Sequence, residues 1–450
     1  MIRFLSLLLF STSLLQAAKP NVLFIIVDDL TANALGCYGD ATAKTPNIDK
    51  LCGSSVRFTR AYCQYPICGA SRASFLSGRY PETIRVLGNT TRPLAHAKDS
   101  VFIPSWLRQQ GYHSIGIGKI FHEGEGHTPP EQWDVFHEGK PKSKRENALA
   151  AERIKKPYAE RGLEWAALAP GDDLSGDIIK ADAAIEELQK LKNQPKPFFL
   201  AVGFKKPHVP YCAPQRYFDL HPLEGAKLPI EPADCLKNVP EAAITHEADA
   251  RGASELSKRE ALRAYRACVS CTDDQIGRLL AALEASGHAE NTLILFTSDH
   301  GYHLNDHRGM WHKMSLFDAS ARVPLLIHAP GIAAGTCERP VQLIDLFPTI
   351  CDLTETPAHA TLEGRSLVPL LHDPRMKSAT PAHTLVRREQ TKIIGRSVST
   401  GEYRYIEWND GKQGTQLYDS RQDPNEWRNL TNEPTQAQKK ETMAKKLLRP

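Results

Sequence analysis

Residues 63–81 hold the densest chemistry in the 450-residue chain. Within them, Cys68-Gly69-Ala70-Ser71-Arg72 sets a thiol four places before an arginine, and Ser77-Gly78-Arg79 follows. A thiol at the start of a helix meets unpaired N–H groups and the positive end of the helix dipole. An arginine one turn on adds a fixed cation. That combination suits a nucleophile that handles an anionic group. Cys63 has no such partner, because Ile67 stands where the arginine would be. The plainer alternative for Cys68 is a buried core thiol.

Ionisable residues recur just past apolar runs. Asn21–Val27 ends in Asp28-Asp29, and His113–Gly118 leads into Lys119 and His122. The run 197–204 precedes His208, the run 293–297 precedes Asp299-His300, and Lys313 follows in Trp311-His312-Lys313. One such placement is unremarkable, but the repetition argues for a shared cleft at one sheet edge. Continuous apolar runs suit strands buried on both faces, and open α/β sheets carry their sites beyond the strands' carboxyl ends. Asp28, Asp29 and Asp299 offer hard oxygen ligands for Ca2+ or Mg2+, and such carboxylates repel one another without a cation. The alternative for Asp28-Asp29 is a loop start and helix cap. His300 is read as a metal ligand or a supporting donor. His122 and His208 could each be a structural hydrogen-bonder. His303 and His307 are read as substrate contacts outside the catalytic set, and Trp311 as packing.

The elements that must position these residues alternate. Helical patterns over 45–51, 71–76, 104–110, 177–191, 257–285 and 344–353 fall between the strand runs, which include 323–328. That alternation, down to about residue 375, predicts an α/β sandwich. Beyond it, short strands at 384–386, 392–397, Tyr403–Trp408 and 416–419 predict an antiparallel meander, and a helix closes the chain. Segments 123–170 and 211–250 are rich in Gly, Pro and charge and are read as loops. The domain reading is a signal peptide over 1–18, a catalytic domain over 19–375 and a C-terminal subdomain over 376–450.

Arg3 precedes the apolar run 4–15, and Gln16-Ala17-Ala18 supplies small residues. This predicts a secretory signal peptide cleaved near Ala17 or Ala18, and an exported protein, periplasmic or secreted. The run is short for a membrane span and no second long one follows, so no stable membrane insertion is expected. A formal net charge of +4 at pH 7 allows an anionic substrate and does not mark a nucleic-acid binder. Ten cysteines in an exported chain permit disulfides. Cys268-Val269-Ser270-Cys271 lies in a helical pattern with no second such pair, which is weak support for zinc or redox chemistry.

The motifs and their order resemble the formylglycine-dependent sulfatase family. Cys68 to Arg72 follows its Cys-x-Pro/Ala-x-Arg signature, with Ala70 where proline is commoner. Gly118-Lys119-Ile120-Phe121-His122, Lys206-Pro207-His208-Val209-Pro210 and Ser298-Asp299-His300-Gly301 follow in the family's order. So do Leu417-Tyr418-Asp419, Asp423-Pro424-Asn425-Glu426 and Asn429-Leu430. The Gly-Lys-x-Phe-His and Lys-Pro-His forms, and histidine after the second aspartate, are most similar to the iduronate-2-sulfatase branch.

The resemblance implies an alkaline-phosphatase-like α/β sandwich with a large mixed sheet and a smaller C-terminal antiparallel sheet. It implies a sulfated glycan as substrate, with a uronic acid 2-O-sulfate as the favoured unit. Cys68 would become formylglycine (3-oxoalanine) through a formylglycine-generating enzyme, and its hydrate would attack sulfur. Arg72 would hold that hydrate, and Lys119, His208 and Lys313 would grip the sulfate oxygens. His122 would contact the nucleophile and assist breakdown of the covalent intermediate. His208 would protonate the departing oxygen, with Lys313 as the alternative acid. Asp28, Asp29, Asp299 and His300 would bind one Ca2+. Modification of Cys68 would leave an odd number of cysteines, so at least one stays unpaired. Competing readings are a phosphate-ester or phosphonate hydrolase of the same fold, and an unmatured glycan-binding protein.

Overall fold

The computed structural model describes residues 19–97, 99–124, 126–128, 130–139, 163–169, 176–244, 250–377, 380–388 and 391–448. The expected leader over 1–18 lies outside them. Asn21–Val27 is the central strand, and all seven of its residues are buried. It pairs in parallel with Phe198–Phe204 on one side and Thr292–Ser298 on the other, both buried throughout. Phe198–Phe204 continues in parallel to His113–Gly118, and that strand to Val135–His137. On the other flank, Arg322–His328 lies antiparallel to both Thr292–Ser298 and Val56–Tyr62. Gly335–Cys337 and Val341–Gln342 complete that edge, parallel to Val56–Tyr62. Among the described residues the large sheet is thus mixed, with Arg322–His328 running against the rest.

Alternate residues of the central strand face opposite layers, as the strand pleat requires. Leu23, Ile25 and Val27 share a core with Ala181, Leu188, Ile276 and Leu279, from helices Gly176–Leu191 and Glu255–Ala285. Val22, Phe24 and Ile26 pack with Phe75, Leu76, Leu107 and Phe347 on the opposite face. Burying each large apolar side chain is worth about 1.5–3 kcal/mol, so these two layers fix which strand ends meet. The long helix starts at Ser254, whose Oγ accepts from Ser257 N at 3.1 Å. Cys268 and Cys271 are buried inside it.

Past residue 380, Ala382–Arg387, Ile394–Ser399, Tyr403–Trp408 and Thr415–Asp419 form an antiparallel sheet in chain order. One face carries Val398, Tyr405 and Leu417 against Met443 and Leu447, at and just past helix Ala437–Ala444. The other face presents Val386, Ile406, Trp408 and Tyr418 to Tyr65, Ala70, Met310 and Phe317. This subdomain therefore braces the two loops that carry Cys68 and Lys313. Buried Arg404 strengthens the brace by donating to Leu316 O at 3.1 and 2.9 Å and pairing with Glu426 at 3.4 Å.

Two segments read as loops contain more structure. Val135–His137 joins the main sheet, but three half-buried residues leave no apolar run to read. Tyr211–Pro214 pairs with Trp165–Leu168 and leads into helix Gln215–Asp219, behind prolines that mask both. All ten cysteines are free thiols. No described helix is long and apolar enough to cross a membrane.

Candidate active site

Val27 and Ser298 are in register, so Asp28-Asp29 and Asp299-His300 emerge side by side. The ladder continues one residue further, with Asp28 N donating to Phe204 O at 3.1 Å and Asp299 N to Val27 O at 3.3 Å. Asp29 then turns into the left-handed region at φ +62°, which aspartate tolerates better than most residues. Its N–H donates to Asp299 Oδ1 at 3.2 Å. Tyr265 of the long helix donates to Asp29 O at 2.7 Å and accepts from Thr31 N at 3.0 Å. Both flanks of the turn are therefore held by one phenol.

Cys68 opens the helix Cys68–Ser77, after Ile67 in extended conformation. All ten residues of that helix are buried, which places Arg72 beneath the strand ends. Arg72 donates Nε to Asp299 Oδ2 at 2.9 Å and Nη2 to Asp28 Oδ1 at 3.1 Å. Its Nη1 donates to the carbonyls of Lys119 and Ile120, the latter at 3.2 Å. The guanidinium thus ties three strand ends together. Lys119 Nζ reaches Asp28 Oδ2 at 2.5 Å. Burial alone would raise the Asp28 carboxyl, but Lys119, His208 and Arg72 outweigh it and hold it well below the usual range. Burial pushes Asp299 up to about 7 against the pull of Arg72 and His300.

The Cys68 thiol sits 3.4 Å from His300 Nε2, 3.4 Å from Lys313 Nζ and 3.9 Å from Asp29 Oδ1. Burial and Asp28 push it up, yet Lys119, Lys313 and His300 outweigh them and hold it well below an ordinary thiol. The position therefore favours negative charge. Gly69 makes room for this turn, since a Cβ there would lie 2.7 Å from Gly88 O, and its N–H donates to Asn89 Oδ1 at 2.8 Å. Lys313 Nζ meets Asp29 Oδ1 at 2.5 Å. His300 places Nδ1 2.9 Å from Gly301 O, which turns Nε2 toward Asp29 Oδ1 at 3.3 Å. Burial would lower this imidazole, but Asp299 outweighs it and raises it to about 9.

His208 stands between two cis X-Pro bonds, with Nδ1 2.6 Å from Val209 O and Nε2 3.8 Å from Asp29 Oδ2. Its side chain is 25% exposed, against 0% for His300, so it faces the entrance. His122 lies apart from the hydrogen-bonded cluster. Its buried Nδ1 has no hydrogen-bond partner, and its ring lies 5.3 Å from that of His127.

The donor set fits a hard cation. Asp29 Oδ2 is buried and accepts no hydrogen bond among the described residues. Ligand atoms of Asp28, Asp29, Cys68 and His208 lie within 4.8 Å of one another, as do those of Cys68, Asp299 and His300. The three carboxylates are the hard oxygen donors that Ca2+ or Mg2+ takes, with the imidazoles of His208 and His300 and the Cys68 thiol beside them.

The expectation for His303 and His307 changes. Both are buried within their own loop. His303 Nδ1 bonds Asp306, and its Nε2 lies 2.6 Å from Ser315 Oγ. His307 Nδ1 reaches Asp306 Oδ1 at 2.9 Å, and its ring lies 3.9 Å from that of Phe317. They shape the loop that carries Lys313 through these contacts. Trp311 is packing, fully buried with Nε1 donating to Tyr211 Oη at 2.9 Å. Sequence reading missed Asn89, Tyr265 and His127. The signal for Asn89 and His127 is faint: each is a polar residue beside glycine in a loop. Tyr265 gives none, being one aromatic in a long helix.

The profile described as Sulfatase matches residues 20–356. The chain belongs to the sulfatase family. A second profile, described as N-sulphoglucosamine sulphohydrolase, C-terminal, matches 306–450. This sulfatase is 34% identical over 447 residues to a sulfatase of Formosa agariphila, covering 93% of this chain and 84% of that one. It is 35% identical over 378 residues to human iduronate 2-sulfatase, covering 78% and 67% respectively. A solved 2-O GAG sulfatase superposes with a TM-score of 0.71 at 24% identity, over 93% of this chain and 89% of that one. The phosphonate monoester hydrolase of Agrobacterium radiobacter shares the fold, with a TM-score of 0.77 at 24% identity over 95% and 94%. The protein is therefore a sulfuric ester hydrolase of alkaline-phosphatase-like fold.

Proposed function

We propose that this sulfatase is exported and removes sulfate from a glycan, with a uronic acid 2-O-sulfate as the favoured unit. The observation that carries the reading is the meeting of Cys68 with Lys313, His300 and Asp29 above the Arg72 clamp. The likeness to iduronate 2-sulfatases supports the choice of sugar. Matured by a formylglycine-generating enzyme, residue 68 supplies an aldehyde hydrate as nucleophile, and a bound Ca2+ supplies Lewis-acid stabilisation of sulfate charge.

The chain's own residues do the rest. Asp28, Asp29, Asp299 and His300 would hold the cation, and Arg72 keeps the carboxylates of Asp28 and Asp299 in place. Lys119 and Lys313 are fixed ammonium groups flanking residue 68, ready to meet sulfate oxygens without reorganising. His208 donates the proton to the departing sugar oxygen. Burial lowers its pKa, but Asp29 and Asp28 outweigh that and raise it, so it stays protonated further up the pH scale. His122, whose Nδ1 has no hydrogen-bond partner among the described residues, is the base that returns residue 68 to its starting state.

The test is sulfate release from uronate 2-O-sulfates, hexosamine 6-O-sulfates and algal oligosaccharides. Protein co-produced with the maturation enzyme is compared in Ca2+ and in chelator. Release confined to uronate 2-O-sulfates and abolished by chelation is the expected result. Release from another position overturns the substrate. Hydrolysis of phosphate or phosphonate esters alone overturns the reaction class.

A further inference from the structure

Two segments, one leading from the nucleophile helix and one following His122, bring together Arg92 and His127, which the chemistry above does not use, and His122, which it does. The segment after Gly88 packs on the first turn of the nucleophile helix, through Asn89 and Gly69. Three residues on, Arg92 is exposed and makes no ion pair among the described residues. The loop after His122 comes to meet it. Gly126 takes φ +75°, and a Cβ there would lie 3.0 Å from both Cδ and Nε of Arg92. A side chain at 126 would press on the arginine stem and strain the backbone, so glycine suits this close approach.

The next residue is His127, only 7% exposed. Its Nδ1 is buried with no hydrogen-bond partner, and the same holds for Nδ1 of His122, whose ring stands edge-on to it at 5.3 Å. Burial, His122 and Arg92 together lower the pKa of His127. Two buried imidazole nitrogens without partners among the described residues, next to an exposed guanidinium, form a site that takes an acceptor when each imidazole carries its proton on Nδ1. Leaving buried polar atoms unsatisfied costs about 1–3 kcal/mol each, and an anionic oxygen would relieve it. A planar carboxylate also matches the guanidinium fork.

We propose that Arg92, His122 and His127 form a subsite for the sugar's carboxylate, next to the sulfate pocket. This rests on the uronate reading above. On a pyranose ring, C-2 and C-5 lie across from one another. A 2-O-sulfate held at Cys68 therefore carries the C-5 carboxylate away from the sulfate-binding lysines. Arg92 and His127 are binding residues in this scheme, and His122 meets the carboxylate through Nδ1, which leaves its other nitrogen for the role proposed at residue 68.

The experiment compares kcat/KM for a 2-O-sulfated uronate and for its methyl ester, in wild type, Arg92→Ala, Arg92→Lys and His127→Asn. Arg92 is exposed, so its variants test binding without endangering the fold. The wild type should prefer the acid by about tenfold or more, the worth of one charge-assisted hydrogen bond. Arg92→Ala should bring the acid-to-ester ratio close to one, mainly through KM for the acid. Arg92→Lys should keep part of the preference, and His127→Asn should lower the ratio. Equal losses on acid and ester in Arg92→Ala, or a wild-type ratio near one, overturn the subsite and leave the uronate reading standing. Release from neither substrate, alongside release from a hexosamine 6-O-sulfate, overturns both.

Discussion

Arg72 is the residue on which the site's geometry most depends, and its removal has a calculable effect. The side chain is fully buried and donates to Asp299, Asp28 and two backbone carbonyls. Arg72→Ala leaves Asp28 with Lys119 at 2.5 Å but takes from Asp299 its one salt bridge to an arginine or lysine among the described residues. Breaking a buried ion pair from one side costs about 3–5 kcal/mol. The orphaned carbonyls add about 1 kcal/mol or more. The expected loss is therefore at least about 4 kcal/mol, a large part of the roughly 5–15 kcal/mol that stabilises a typical protein. Urea unfolding in chelator measures it. Adding Asp299→Asn should return part of the loss, with a coupling energy of about 2 kcal/mol or more, because the stranded charge is gone. A loss under about 1 kcal/mol, or coupling near zero, would refute the clamp.

Three further outcomes follow from other features. Gly203→Ala would set a Cβ 2.1 Å from Lys119 O, so it should destabilise by about 1–3 kcal/mol or more and lower kcat by displacing Lys119. Unchanged stability and kcat would show that the backbone there yields freely. His221 is held down to about 4 by burial and by Arg266 and Lys44, well below the ordinary value of about 6.5. The unfolded chain thus binds that proton more readily. Its contribution is whole above about 6.5 and is lost as pH falls toward about 4, and His221→Asn should flatten thermal stability over that window. The Cys52 thiol is lowered to about 7, chiefly by its interaction with the Cys37 thiol. Oxidised glutathione should join them first, each disulfide formed releasing two glutathione thiols, as peptide mapping without reductant would show. A first link elsewhere would count against the pairing.

Much of this arrangement was legible in the sequence because strands buried on both faces write themselves as apolar runs. Asn21–Val27, His113–Gly118 and the runs ending near Phe204 and Ser298 therefore appear with their terminal aspartates, lysine and histidines in place. Cys68 was legible as a helix start because of the small residues after it. What the runs could not carry was direction within the site. Arg72 turns its donors to carboxylates and carbonyls, which depends on strand register. Lys313 reaches Asp29 through a loop that passes the left-handed region at Asn305, His307, Arg308, His312 and Met314, a path without periodicity. His303 and His307 looked available because polarity suggested exposure, but Asp306 and Phe317 bury them. Arg92 and His127 lie far apart in the chain, and the approach of the Arg92 side chain to Gly126, next to His127, is set by tertiary packing.

The central claim is that residue 68 performs the chemistry, and one titration tests it directly. Protein made with graded amounts of the formylglycine-generating enzyme is split between peptide mass measurement of the aldehyde at residue 68 and an assay of sulfate release from a uronate 2-O-sulfate. The account predicts a rate proportional to the aldehyde fraction, passing through zero, with Cys68→Ala inactive at every level. Activity that persists in Cys68→Ala, or that does not follow the aldehyde fraction, would contradict it.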